Sequence, residues 1–118
     1  LTDPRHPLTA RVAANRLWMQ MFGRGLCATP ENFGLLGHEP EHTALLDHLA
    51  SELVRRGWDQ RALLRTLALS ATYAQRSQAP AELLRDDPLN TLLARGRSRP
   101  LAAEELRDTA LAASGLLV

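Results

Sequence analysis

The stretch that most limits what this chain can fold into runs from Pro7 to Gly34, PLTARVAANRLWMQMFGRGLCATPENFG. Its first part has helical spacing, at about 100° per residue. Ala10, Ala13, Ala14, Leu17, Trp18 and Met21 fall on one wide apolar face, and Leu8, Val12, Met19 and Phe22 form a second strip nearly opposite. A helix that is apolar on two sides belongs between partners. Arg16 and Gln20 share the narrow polar edge, whereas Asn15 falls inside the second apolar strip. Pro7 suits the first turn, with His6 or Thr9 as cap. Gly23 and Gly25 supply left-handed conformations that end the helix. From Leu26 to Glu39 no period is visible, and Phe33 with Leu35 and Leu36 would pin this loop to a core.

The remaining segments punctuate themselves. Pro40 opens a second helix, with Glu39 and Glu41 at its positive end. Its stripe is His42, Leu45, Leu46, Leu49, Ala50 and Leu53, with Arg55 and Arg56 in the last turn and Gly57 as the stop. Asp59 caps a third helix reaching about Ala74, with Trp58 stapled to Leu63. Its apolar face is Leu63, Leu64, Leu67, Ala71 and Ala74, and Ser70 to Tyr73 suit close helix contact. Pro80 begins a brief helix to about Arg85. Asp87-Pro88 gives a cap and a first-turn proline, and Gly96 ends the turns that follow. The last helix spans about Ala102 to Ser114, with Ala102, Ala103, Leu106, Ala110 and Ala113 as a small-residue face and Gly115 as its exit.

With 118 residues, 45% of them apolar, the chain suits one folded domain over residues 1–118 and argues against disorder. Abundant Leu and Ala, few aromatics and no strand alternation make it all-α: a single irregular bundle of about five helices around the first one. Residues 1–6 read as a linker. The chain opens on Leu1 and reads as an excerpt of a longer protein. All 14 basic residues are Arg, yet the net charge is only +1, so nothing drives the chain as a whole toward nucleic acid or a membrane surface. Cys27 is alone and forms no disulfide framework. As a nucleophile it would need a low-pKa setting and a nearby base, and no such base can be assigned.

Candidate chemistry is sparse. His38, His42 and His48 invite a metal reading, but Pro40 interrupts the first pair and about 240° separates the second. No metal site is expected, and no cofactor within this segment. His42 is expected to be a half-buried structural histidine bonded to a neighbouring loop. Asn15, Arg16, Arg24 and His42 form a candidate polar cluster near Phe33. As a ligand site it would be part of an enzyme; as a structural device, Asn15 and Arg16 would tie down the loop after the first helix. Most buried polar groups are satisfied structurally, which favours the second. Arg95, Arg97 and Arg99 form a candidate anion-binding loop, with solvated ion pairs as the plainer reading. The carboxylates, including Glu31, Glu41, Asp47 and Asp108, have no spacing that defines an acid–base pair.

Several blocks carry a family resemblance. They are Pro7 to Val12, Asn15-Arg16-x-Trp18, Phe22 to Leu26, Thr29 to Gly34, Pro40-x-His42, Leu45 to Asp47, Gly57-Trp58 and Ser70 to Tyr73. Asp87-Pro88, Leu92 to Gly96, Glu104, Arg107-Asp108 and Ser114 to Leu116 continue the series in order. The chain resembles the planctomycete secreted domain of unknown function, found C-terminally in large proteins that often carry a c-type cytochrome module. The resemblance implies an exported, multidomain parent, periplasmic or secreted, of which this segment is the N-terminal part of one domain. It implies as partners other domains of the same chain, haem-bearing or carbohydrate-binding, and it transfers no catalytic residue. No CxxCH haem motif occurs here. Met19 and Met21 depart from polar or histidine positions of that family, His6 from Asn, and Ala102 from a capping residue. The expectation is a non-catalytic helical module for structure or interaction. The alternatives are half of an enzyme site or an anion- or polysaccharide-binding module.

Overall fold

The computed structural model describes residues 6, 8–33, 37, 39–98 and 101–116. Among them are five helices and no strand: α1 (Thr9–Phe22), α2 (Thr43–Arg55), α3 (Gln60–Ala68), α4 (Ala81–Asp86) and α5 (Ala103–Ser114). The all-α bundle is therefore observed. Pro7, Gly34, Leu35, Leu36, His38 and Arg99 lie outside the described residues.

Helix α1 packs on both α2 and α3, which also touch each other. Along α1 only Arg16 and Gln20 are exposed. Ala10, Ala14, Leu17 and Trp18 join Leu46, Leu49, Ala50 and Leu53 of α2 and Leu63 and Leu67 of α3 in one core. The second strip (Leu8, Val12, Met19 and Phe22) is half-buried. Each fully buried leucine, such as Leu46, Leu53 or Leu63, contributes about 2–3 kcal/mol of apolar burial. The helix start is held by His6, whose Nδ1 accepts from the Thr9 N–H at 3.2 Å. An Arg11–Asp47 pair at 2.5 Å joins α1 to α2; being half-exposed, it adds less than about 1 kcal/mol.

Helix boundaries follow local hydrogen bonding. Helix α2 starts at Thr43 rather than Pro40, because the Glu41 N–H turns back to the Leu26 carbonyl at 3.0 Å. That bond keeps residues 39–42 out of the helix and fastens the preceding loop. At its far end Gly57 has φ +63°. The Trp58 N–H reaches the Leu53 carbonyl at 2.8 Å and the Gly57 N–H that of Val54 at 2.9 Å, a Schellman closure. Trp58 itself is left-handed at φ +66°. Asp59 caps α3 as expected, its Oδ1 accepting from the Ala62 N–H at 3.0 Å.

Helix α3 stops at Ala68, six residues short of the expected Ala74. The Ser70 hydroxyl donates to the Leu67 carbonyl at 2.7 Å and its Oγ accepts from the Tyr73 N–H at 3.2 Å. A serine that bonds its own backbone in this way competes with helix continuation. Ala71 and Ala74 are consequently exposed instead of joining the apolar face.

The two halves of the chain differ in burial. Among the described residues, every buried apolar one lies between Ala10 and Leu67, and every large exposed apolar one lies at Leu69 or beyond. The expected small-residue face of α5 is also exposed, and α5 buries no residue at all. At its start Glu105 accepts from the Ala102 N–H at 2.9 Å. Gly115, at φ +73°, ends it.

Candidate functional site

The polar groups of α1 act on the loop that follows. Asn15 is 0% exposed. Its Nδ2 donates to the Cys27 carbonyl at 3.1 Å and its Oδ1 accepts from the Cys27 N–H at 3.0 Å. One amide thus pairs with both the N–H and the carbonyl of Cys27, as a neighbouring strand of backbone would. Gly25 does not take the left-handed conformation expected of it, since Gly23 alone turns the chain there, at φ +79°. Gly25 is needed for space: a Cβ would lie 2.5 Å from the Cys27 carbonyl oxygen and 2.8 Å from the Asn15 amide. Arg16 is exposed and bonds to no described residue, so it does not share the fastening role expected for both.

A second fastening joins the start of α2 to the turns after α4. His42 Nε2 meets the Thr91 carbonyl at 2.6 Å, which requires the Nε2–H tautomer or the imidazolium. Thr91 is held in turn by Asp87, which accepts from the Thr91 N–H at 2.7 Å, the Thr91 hydroxyl at 3.0 Å and the Leu92 N–H at 2.9 Å. Burial pushes the Asp87 carboxyl up. The Leu92 and Thr91 hydrogen bonds and nearby Arg95 outweigh it and hold the group below the usual aspartate value. Asn90 closes the loop by donating to the Arg95 carbonyl at 2.8 Å. Gly96 lies against Gln75, with its N–H on the Arg76 carbonyl at 2.8 Å. Its role is close approach, not a left-handed exit.

Between the end of α1 and these turns lies a cavity of about 280 Å³. Arg24, His42, Arg95 and Arg97 all line it, so half of the candidate polar cluster and two of the three loop arginines share one space. Asn15 and Arg16 are not in its wall. Arg24 Nη2 pairs with Glu41 at 2.5 Å. Arg95 turns inward, its Nη2 donating to the carbonyls of Asp87 at 2.8 Å and Pro88 at 3.0 Å. The Arg97 guanidinium lies over Gly23, where any Cβ would collide with it. The floor carries Trp18 stacked on Phe22, with centroids 3.9 Å apart. The Nη1 atoms of Arg24 and Arg95 are both buried without a hydrogen-bond partner among the described residues. Leaving such a donor unpaired costs about 1–3 kcal/mol.

Glu41, Asp87, Asn90 and Thr91 were not among the expected site residues. The Asp87-Pro88 turn signal was the only sequence trace of these four, and it does not say that the turn meets His42. Among the described residues no group of three or more His, Cys, Asp or Glu side chains could hold a metal ion. No described helix is long and apolar enough to cross a membrane. Cys27 is a buried thiol outside any disulfide.

No curated protein and no solved structure matches the chain. The family model for PSD1, a protein of unknown function (DUF1553), matches residues 1–118, over the whole helical framework and the cavity alike. The chain belongs to the PSD1 (DUF1553) family of proteins of unknown function.

Proposed function

We propose that this chain is a non-catalytic helical module whose C-terminal half docks against another part of its own, longer polypeptide. The observation that carries the reading is the division of apolar residues. Leu89, Leu92, Leu101, Leu106 and Leu116 are all more than half exposed, while the leucines of α2 and α3 fill the core. A 12-residue helix such as α5 that buries nothing is marginal in water by itself. Burying these leucines against a partner would be favourable, and a tethered partner meets them at high effective concentration. The polar groups support the same reading: Asn15 and His42 hold backbone carbonyls, and Arg24 holds Glu41.

Following the resemblance, the proposed parent is an exported, periplasmic or secreted multidomain protein of planctomycete type. The partner is one of its other domains, a c-type cytochrome module among the candidates. The test compares Leu92→Ser plus Leu106→Ser in this chain and in the parent polypeptide. In this chain the change stays within about 0.5 kcal/mol, as surface substitutions do. In the parent, urea midpoints should fall by the equivalent of about 2–5 kcal/mol, the cost of losing buried leucines. Equal small effects in both would refute docking. Concentration-dependent dimerisation of this chain through the same leucines would replace the tethered partner by a second copy.

A further inference from the structure

We infer that the cavity beside α1 is a binding site for a small carboxylate carrying a short apolar group, gripped by Arg24 and Arg95. The primary observation is the pair of orphaned donors. Buried polar atoms are nearly always hydrogen-bonded, yet among the described residues Nη1 of Arg24 and Nη1 of Arg95 both lack a partner, and both side chains line the same cavity. Neither arginine is loose. Arg24 is anchored through Nη2 to Glu41, and Arg95 through Nη2 to two carbonyls of the turn it closes. Each side chain is therefore already fixed when a ligand arrives, which lowers the ordering cost of binding. Guanidinium groups held in this way suit a planar oxyanion.

Charge and shape narrow the class. Arg24, Arg95 and Arg97 line the cavity with the Glu41 carboxylate, and Asp87 lies outside the wall but close to Arg95, so the neighbourhood as a whole keeps a surplus of one positive charge. That surplus matches a monoanion better than a phosphate dianion. The rest of the wall includes the Trp18–Phe22 stack with Leu93 and the more exposed Leu84 and Leu89, which offer an apolar body contact. The volume of about 280 Å³ sits at the lower end of small-molecule clefts. His42 contributes position only, its Nε2 being engaged with Thr91.

Indole N–H signals in proton–nitrogen correlation spectra provide the test, because the chain has two tryptophans and only Trp18 lines the cavity. Trp58 serves as the internal control. Benzoate, acetate, N-acetylleucine and sulfate are titrated separately. Benzoate should shift Trp18 saturably and leave Trp58 still, with affinity about tenfold above acetate from the buried apolar group. Sulfate should bind no better than acetate. N-acetylleucine stands in for a peptide C-terminus; if it outbinds benzoate the carboxylate is peptidic, and if benzoate wins it is a free small acid. Arg24→Gln should weaken benzoate about tenfold or more. Arg95→Gln should do the same, but it also removes a turn anchor, so the Arg24 variant with unchanged circular dichroism decides. No saturable Trp18 shift, a sulfate affinity equal to that of benzoate, or undiminished binding by Arg24→Gln would each overturn the assignment.

Discussion

Replacing Asn15 by alanine strips two hydrogen bonds from the Cys27 peptide, at 3.0 and 3.1 Å, in a site with no solvent exposure. Each lost buried bond costs about 1–3 kcal/mol, so Asn15→Ala should destabilise the chain by about 2–5 kcal/mol. Against a typical domain stability of about 5–15 kcal/mol, that is a large fraction. Urea unfolding followed by tryptophan fluorescence measures it directly. Asn15→Asp should do more harm near neutral pH, because its second oxygen would confront the Cys27 carbonyl across 3.1 Å. The thiol of Cys27, buried in the native chain, reports the loop itself: its reaction with a disulfide reagent should accelerate in Asn15→Ala. A stability loss below about 0.5 kcal/mol, the range of ordinary surface substitutions, together with an unchanged thiol rate would refute the fastening argument.

Two further outcomes follow from the same geometry. Gly25→Ala places a Cβ 2.5 Å from the Cys27 carbonyl oxygen and should cost about 1–3 kcal/mol as overpacking. Gly57→Ala meets open space at φ +63° and should cost only the left-handed backbone penalty of about 1 kcal/mol; thermal melts rank the two. Hydrogen bonds from Arg55 and then Arg56 hold the Glu52 carboxyl down from 4.5 to about 2. Because the folded value is the lower one, the stabilisation is complete above pH 4.5 and is lost as pH falls toward 2. Glu52→Gln should therefore flatten the stability profile between those values, as read from denaturation at successive pH.

Much of the framework was legible because it is local. The two apolar strips of α1 announced a helix exposed only at Arg16 and Gln20, and Asn15, alone among apolar neighbours, announced a buried tie. Asp59, Gly23, Gly57 and Gly115 marked helix ends through side-chain and backbone chemistry that needs no distant partner. What was not legible depends on residues far apart in the chain. His42 bonds Thr91, 49 positions away, Gly96 is a glycine because the Gln75 backbone crosses it, and Gly25 makes room for the Asn15 amide of α1. Arg95 belongs to an inward turn where charge pattern suggested an outward cluster. The early end of α3 was a local event, but Ser70 reads equally well as a helix residue or a stop. The exposure of α5 had no sequence trace, since a small-residue face looks the same whether or not something covers it.

Hydrogen exchange measured on this chain and on the parent polypeptide tests the docking reading most directly. In both, amides of α1 should be the slowest, since α2 and α3 enclose that helix. Amides of α5 should exchange quickly in this chain and slow by about tenfold or more in the parent, the slowing that about 1.4 kcal/mol of docking energy gives through the opening equilibrium. Equal rates for α5 in the two proteins would contradict the account.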